Sequence, residues 1–152
     1  HMEEIDLCWR LKNRGYKVGA CRESKVYHYG GGTLDRQSPF KTYLNFRNNL
    51  YMLVKNYHTS NLRLKLIRRM ILDGVAGIRF ITEGKWSHFS AVFKAHMSFY
   101  GNMKTLQRKR RKEELSIVVQ NLTGVYNRSV LKDFFLLKRR KFTDLPADEF
   151  NQ

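Results

Sequence analysis

The dipeptide Ser38-Pro39 constrains this chain more than any other local feature, because it combines a helix N-cap with a proline at the first helical position. Phe40, Tyr43, Leu44, Arg47, Leu50, Tyr51 and Val54 follow at helical spacing, so a helix is predicted to run on from Pro39. Length and composition then set the class. At 152 residues and 42 % hydrophobic side chains, the chain is long enough for one domain with a core, and disorder is not the default.

Other elements read less sharply. Glu3 to Arg14 is predicted as a helix, with acids in its first turn, basic residues in its last, Ile5, Cys8 and Trp9 at helical spacing, and Gly15 as a stop. Tyr16 to Cys21 and Lys25 to Tyr29 are rich in β-formers and suggest two short strands before the triplet Gly30-Gly31-Gly32. Leu62 to Ile81 gives a helix with Leu62, Leu66, Met70 and Ile71 on one side, weakened in its middle by Gly74 and Gly77. Ser87 to Tyr100, a solvated segment around Arg108 to Lys112, and Val130 to Arg140 complete the helical set. The expected fold class is α+β and mostly helical, with two short strands and four or five amphipathic helices. No run approaches the roughly 20 apolar residues that span a bilayer. Cys8 and Cys21 have no paired spacing, which fits a reducing, cytoplasmic setting.

The formal charge of +16 is concentrated: residues 1 to 57 carry an excess of +5, residues 58 to 112 carry +11, and residues 113 to 152 are balanced. The middle third is therefore expected to face an anionic partner, such as phospholipid head groups, a phosphorylated lipid or nucleic acid.

Glu3, Glu4 and Asp6 cluster at a helix start, where one carboxylate could accept a proton beside a cleft, although acids there are also stabilised simply by the helix dipole. His28 precedes a glycine-rich loop and could bind a divalent metal, or serve as an ordinary hydrogen-bonded histidine.

Taken together, Glu3-Glu4-Ile5-Asp6-Leu7-Cys8-Trp9-Arg10-Leu11, Gly15-Tyr16, Val26-Tyr27-His28-Tyr29-Gly30-Gly31-Gly32-Thr33, Ser38-Pro39-Phe40-Lys41 and Tyr43-Leu44-Asn45-Phe46-Arg47-Asn48-Asn49 resemble bacterial family-2 glycosyltransferases of the rhamnosyltransferase-like kind. The resemblance is specific over about the first 57 residues and loose beyond them. It implies that residues 1–57 are the acceptor-side, C-terminal part of a GT-A catalytic domain, and that residues 58–152 are a basic helical extension. It also implies a nucleotide-sugar donor, a glycan or lipid-linked acceptor in cell-surface polysaccharide synthesis, and Mg2+ or Mn2+ as cofactor. Glu4 then takes the place of the general base, where the family often has aspartate, with Glu3 as its competitor. Asp6 orients the helix, in part by pairing with Arg10 four residues on. His28 takes the metal-binding place, and Asp6, Gly31, Gly32, Thr33, Arg47 and Asn48 are candidates for binding the donor diphosphate or the acceptor. The nucleotide-binding half is expected ahead of residue 1, so this chain alone is expected to be inactive.

Helices that mix Leu, Ile, Phe and Trp with Arg and Lys in the middle third suit peripheral attachment to the inner face of a membrane. The different-class alternative is a small basic protein that binds nucleic acid or a membrane without enzymatic activity. It leaves the acidic pair and the His-Gly-Gly-Gly element unexplained.

Overall fold

A computed structural model describes residues 2–27, 37–118 and 124–151. The chain is mostly helical, and helices α2 to α5 share the central core. Helix α1 spans Glu3–Asn13, α2 Pro39–Asn56, α3 Leu62–Thr82, α4 Trp86–Gly101, α5 Met103–Glu114 and α6 Val130–Phe135. The terminators act as their chemistry requires. Gly15 closes α1 in the left-handed region at φ 82°, and Gly84 does the same after α3 at φ 72°. Ser38 adopts extended backbone, and its hydroxyl accepts from the Phe40 N–H at 3.2 Å, so the Ser-Pro signal is borne out.

The core lies between α2 and α4, with α5 packed on α2, and α3 packed against both α4 and α2. Leu50, Val54, Phe99 and Leu106 form its centre, and Tyr51, Leu66, Met70 and Met103 close around it. It therefore crosses residue 57, joining α2 to the three helices that follow. Polar contacts fix the register: the Tyr51 hydroxyl donates to the Ser98 carbonyl at 3.1 Å, and Thr42 Oγ1 meets His88 Nδ1 at 2.8 Å. Arg110 Nη1 donates to the Val54 and Tyr57 carbonyls at 2.8 and 2.7 Å, bringing a cation to the C-terminal end of α2, where the helix dipole favours it. The basic run around it is otherwise solvated.

Three expectations need correction. Tyr16 to Cys21 is not a strand: residues 16–27 are exposed and pair with no other segment among the described residues. Extended backbone gains a ladder only from a neighbour, and two short strands without a covered face are marginal in water. Of the second predicted strand, Lys25 to Tyr27 is likewise irregular and the rest lies outside the described residues. The last helix ends at Phe135 rather than Arg140, because the chain turns back so that Arg139 Nη1 reaches the buried Asp133 Oδ1 at 2.8 Å. In α3, Ile71 does not share the inward side of Leu62, Leu66 and Met70; it is 61 % exposed.

Candidate functional site

Helix α1 is docked by polar groups together with one aromatic contact. Asp6 Oδ2 accepts from Lys55 Nζ at 2.5 Å and from Arg10 Nε at 3.2 Å, while Asp6 Oδ1 accepts from Asn56 Nδ2 at 2.7 Å. One turn further on, Asn13 Nδ2 donates to the Asn56 carbonyl at 3.0 Å. Trp9 stands edge-on to Tyr57 with ring centroids 6.3 Å apart. Residues 6, 9 and 13 thus form the face that meets the end of α2. Burial alone would raise the Asp6 carboxyl, but hydrogen bonds from Lys55 and Asn56, with the charges of Lys55 and Arg10, outweigh it and hold Asp6 below its usual value. The pairing of Asp6 with Arg10 was legible in the sequence. Lys55 and Asn56 were missed as its partners, since no local pattern links positions about fifty residues apart.

Successive residues of a helix point about 100° apart, and this separates the two glutamates. Glu3 lines a cavity of about 200 Å³ together with Asp6, Asn48, Tyr51, Lys55 and Lys109. Glu4 lines a wider cleft of about 490 Å³ whose walls include Trp9, Leu53 and Tyr57, with Lys12 and Lys65 among its cations. The Lys65 ammonium lies over the Tyr57 ring, 5.4 Å from its centroid. Glu4 is exposed and makes no hydrogen bond or ion pair to the described residues, so its carboxylate stands ready at the edge of an aromatic-walled space.

Among the other candidates, Asn48 joins Glu3 and Asp6 at the smaller cavity. Arg47 turns away to bind its own helix: Nε donates to Asn48 Oδ1 at 3.0 Å, Nη1 donates to the Tyr43 hydroxyl at 3.3 Å, and the guanidinium lies over the Tyr43 and Tyr51 rings. It thereby positions Asn48. His28, Gly31, Gly32 and Thr33 lie outside the described residues. Among the described residues no three His, Cys, Asp or Glu side chains gather as a divalent cation would need. Asp6, the nearest acid to such a role, already accepts from two cations and an amide.

A buried carboxylate also went unassigned in the sequence, although an acid within the longest apolar run was a visible signal. Asp73, in the middle of α3, lies 2.7 Å from Arg69 Nε, an ion pair whose angle falls short of a hydrogen bond. It also meets His96 Nε2 of α4 at 3.1 Å. Beside it runs a groove lined by Met70, Gly74, Gly77, Phe89, Phe93 and Tyr100. A Cβ at Gly77 would stand 3.4 Å from the Phe89 ring, so glycine there lets the ring lie close to the α3 backbone.

Comparison with profiles of known protein families, with curated proteins and with solved structures finds no match.

Proposed function

We propose that this chain is the acceptor-side part of an inverting family-2 glycosyltransferase, the C-terminal remnant of a GT-A fold, and that Glu4 is its general base. The observation that supports this most directly is the placement of an unengaged carboxylate at an aromatic-walled cleft on a helix clamped by Asp6. Apolar ring faces such as those of Trp9 and Tyr57 suit the C–H faces of a sugar, while carboxylates and lysines suit its hydroxyls. In the proposed step, the acceptor hydroxyl oxygen bonds to the anomeric carbon of the donor sugar as the bond from that carbon to the diphosphate breaks. The hydroxyl proton passes to the Glu4 carboxylate, and the configuration inverts. The nucleotide-sugar half and the ligands for Mg2+ or Mn2+ belong, on this reading, with residues other than those described. Asp6 serves as a positioning residue, because it acts on α1 rather than on substrate.

The test uses the whole enzyme, including its nucleotide-binding half. Glu4→Gln should lower sugar transfer by about 10²- to 10⁴-fold with donor binding nearly unchanged, while Glu3→Gln should be milder. Equal losses in the two variants would sink the assignment of Glu4.

The same reading places the protein at the inner face of a membrane with a lipid-linked acceptor. No helix among the described residues is long and apolar enough to cross a bilayer. The nucleic-acid alternative draws little support, since the outer face of α5 collects Lys104, Arg108, Arg111 and Lys112 around Leu115, without an aromatic ring for bases to stack on.

A further inference from the structure

Both α3 and α4 bury one side and leave an apolar stripe on the other. On α3 the stripe is Leu64, Ile67, Ile71, Val75 and Ile78, and the last three are 61, 58 and 63 % exposed. On α4 it is Trp86, Phe89, Phe93, Met97 and Tyr100, with Trp86 at 63 % and Phe93 at 58 %. Spacings of three and four residues put each set on one face of its helix. Phe89, Phe93, Met97 and Tyr100 of the α4 stripe line the groove against Gly74 and Gly77, and the α3 stripe occupies the adjoining face of α3 beyond those glycines. The buried sides explain why the stripes face outward: Asp73, paired with Arg69 of its own helix, meets His96 of α4, and Val92, Ala95 and Phe99 fill α4's inner side.

Cations border this surface. On an α-helical projection Arg63 lies beside one edge of the α3 stripe and Arg68 beside the other, and Lys94 flanks the α4 stripe. Arg63, Arg68 and Lys94 make no hydrogen bond or ion pair to the described residues. The acids of the hairpin do not oppose them from the surface, because Asp73 is buried and Glu83 is held by Lys85 and Arg79, which push its carboxyl down to about 2.

We infer that α3 and α4 together form an in-plane docking face for an anionic lipid bilayer, with the two stripes in the acyl boundary and Arg63, Arg68 and Lys94 at the phosphates. Charge complementarity selects this occupant: an apolar strip edged by unpaired cations matches a layer that is apolar inside and anionic at its rim. The long side chains of arginine and lysine can keep their charges at the head groups while the stripes go deeper. At about 1.5 Å per residue, α3 extends roughly 30 Å, long enough to lie flat over several lipids. The inference rests on the membrane-surface reading above but adds its geometry, in which both helices lie parallel to the bilayer rather than being held by the basic run of α5.

The test is sedimentation of the chain with vesicles of phosphatidylserine and phosphatidylcholine at low salt. Wild type should sediment, and Ile71→Ser with Phe93→Ser should lower partitioning at least tenfold. Replacing Arg63, Arg68 and Lys94 by glutamine should lower it on the order of a hundredfold with anionic vesicles and little with neutral ones. Circular dichroism keeps misfolding apart from lost binding, since all five positions are exposed. In a Trp9→Phe background, Trp86 emission should shift to shorter wavelength on binding. If wild type binds and the Ser variants bind equally well, docking is through charge elsewhere: the membrane reading stands and the inference falls. If wild type ignores anionic vesicles but forms a dimer that Phe93→Ser dissociates, the face is a self-association surface and both fall. A monomer that ignores vesicles overturns both as well.

Discussion

Two aspartates mark two regions of this molecule, and their surroundings tip them in opposite directions. Asp6 in α1 and Asp73 in α3 are each clamped by an arginine four residues away on the same helix and by a second group from the neighbouring helix. Asp6 keeps 20 % of its side chain exposed and gains two permanent cations, Arg10 and Lys55, so its partners win over burial. Asp73 keeps 2 % and gains one permanent cation with a histidine, so burial wins over Arg69 and His96 and its carboxyl is raised. The difference separates two uses of a buried charge. At α1 the clamp stabilises the helix that carries the proposed base. Between α3 and α4 the charge is taken out of the surface, which leaves the outer faces apolar.

The sharpest way to break the comparison is to ask whether the regions belong to one core at all. Phe99 is 1 % exposed and sits among Leu50, Val54 and Leu106, between the two regions. Phe99→Ala should cost about 3 to 5 kcal/mol through lost transfer energy and the cavity left behind. Urea unfolding followed in single-tryptophan variants checks it, Trp9 reporting on α1 and Trp86 on the α3–α4 turn. Both midpoints should move together; a Trp9 transition that stays in place would mean that α1 unfolds on its own.

The next effect is smaller and specific to α1. Asp6→Asn keeps the shape but removes the charge that Lys55 and Arg10 face, and it should cost about 1 to 2 kcal/mol at pH 7. The sign with pH follows from the lowered carboxyl. The stabilisation is present above the ordinary aspartate value near 3.9 and is lost as pH falls through the lower folded value, so the gap between wild type and variant should close in that window. A gap that persists below pH 2 would show that shape, not charge, holds α1.

These contrasts also mark what the sequence could carry. Helix starts and stops were legible because they are local: Ser38-Pro39, Gly15 and the i,i+4 pair of Asp6 with Arg10 each act within one or two turns. The strands were not, since Tyr16 to Cys21 has strand-forming side chains but nothing beside it to pair with. Sorting α3 by hydrophobicity misled in the same way. Ile71 reads as core and faces out, while Arg69 two positions earlier turns in to Asp73, its guanidinium over Phe46 at 5.5 Å. On a chain with two apolar faces per helix, which face is covered depends on partners that periodicity does not name. The acids at the start of α1 could be seen from sequence, but their division between two cavities could not, because it depends on how Asp6 rotates the helix against Lys55 and Asn56.

The smallest expected effect is the most discriminating. Asp73→Asn removes a charge whose burial outweighs its partners, so at pH 7 it should cost less than Asp6→Asn does. Arg69 and His96 keep 30 and 16 % of their side chains exposed, but Arg69 Nε is itself buried and loses its facing carboxylate, which is the cost that remains. For a raised carboxyl the contribution is present below the ordinary aspartate value and lost as pH rises through the raised one. Wild type should therefore gain on Asp73→Asn as pH falls through the raised value toward the ordinary one near 3.9, and lose its lead on Asp6→Asn only below that. Thermal melts of the three proteins from pH 7 to pH 2 read both slopes in one series. Opposite slopes mean that the two clamps differ in kind. If Asp73→Asn instead loses several kcal/mol at pH 7 and recovers in acid, then Arg69 and His96 overcome the cost of burial. The α3–α4 pair would then be held by its charge as α1 is, and the contrast between the regions would disappear.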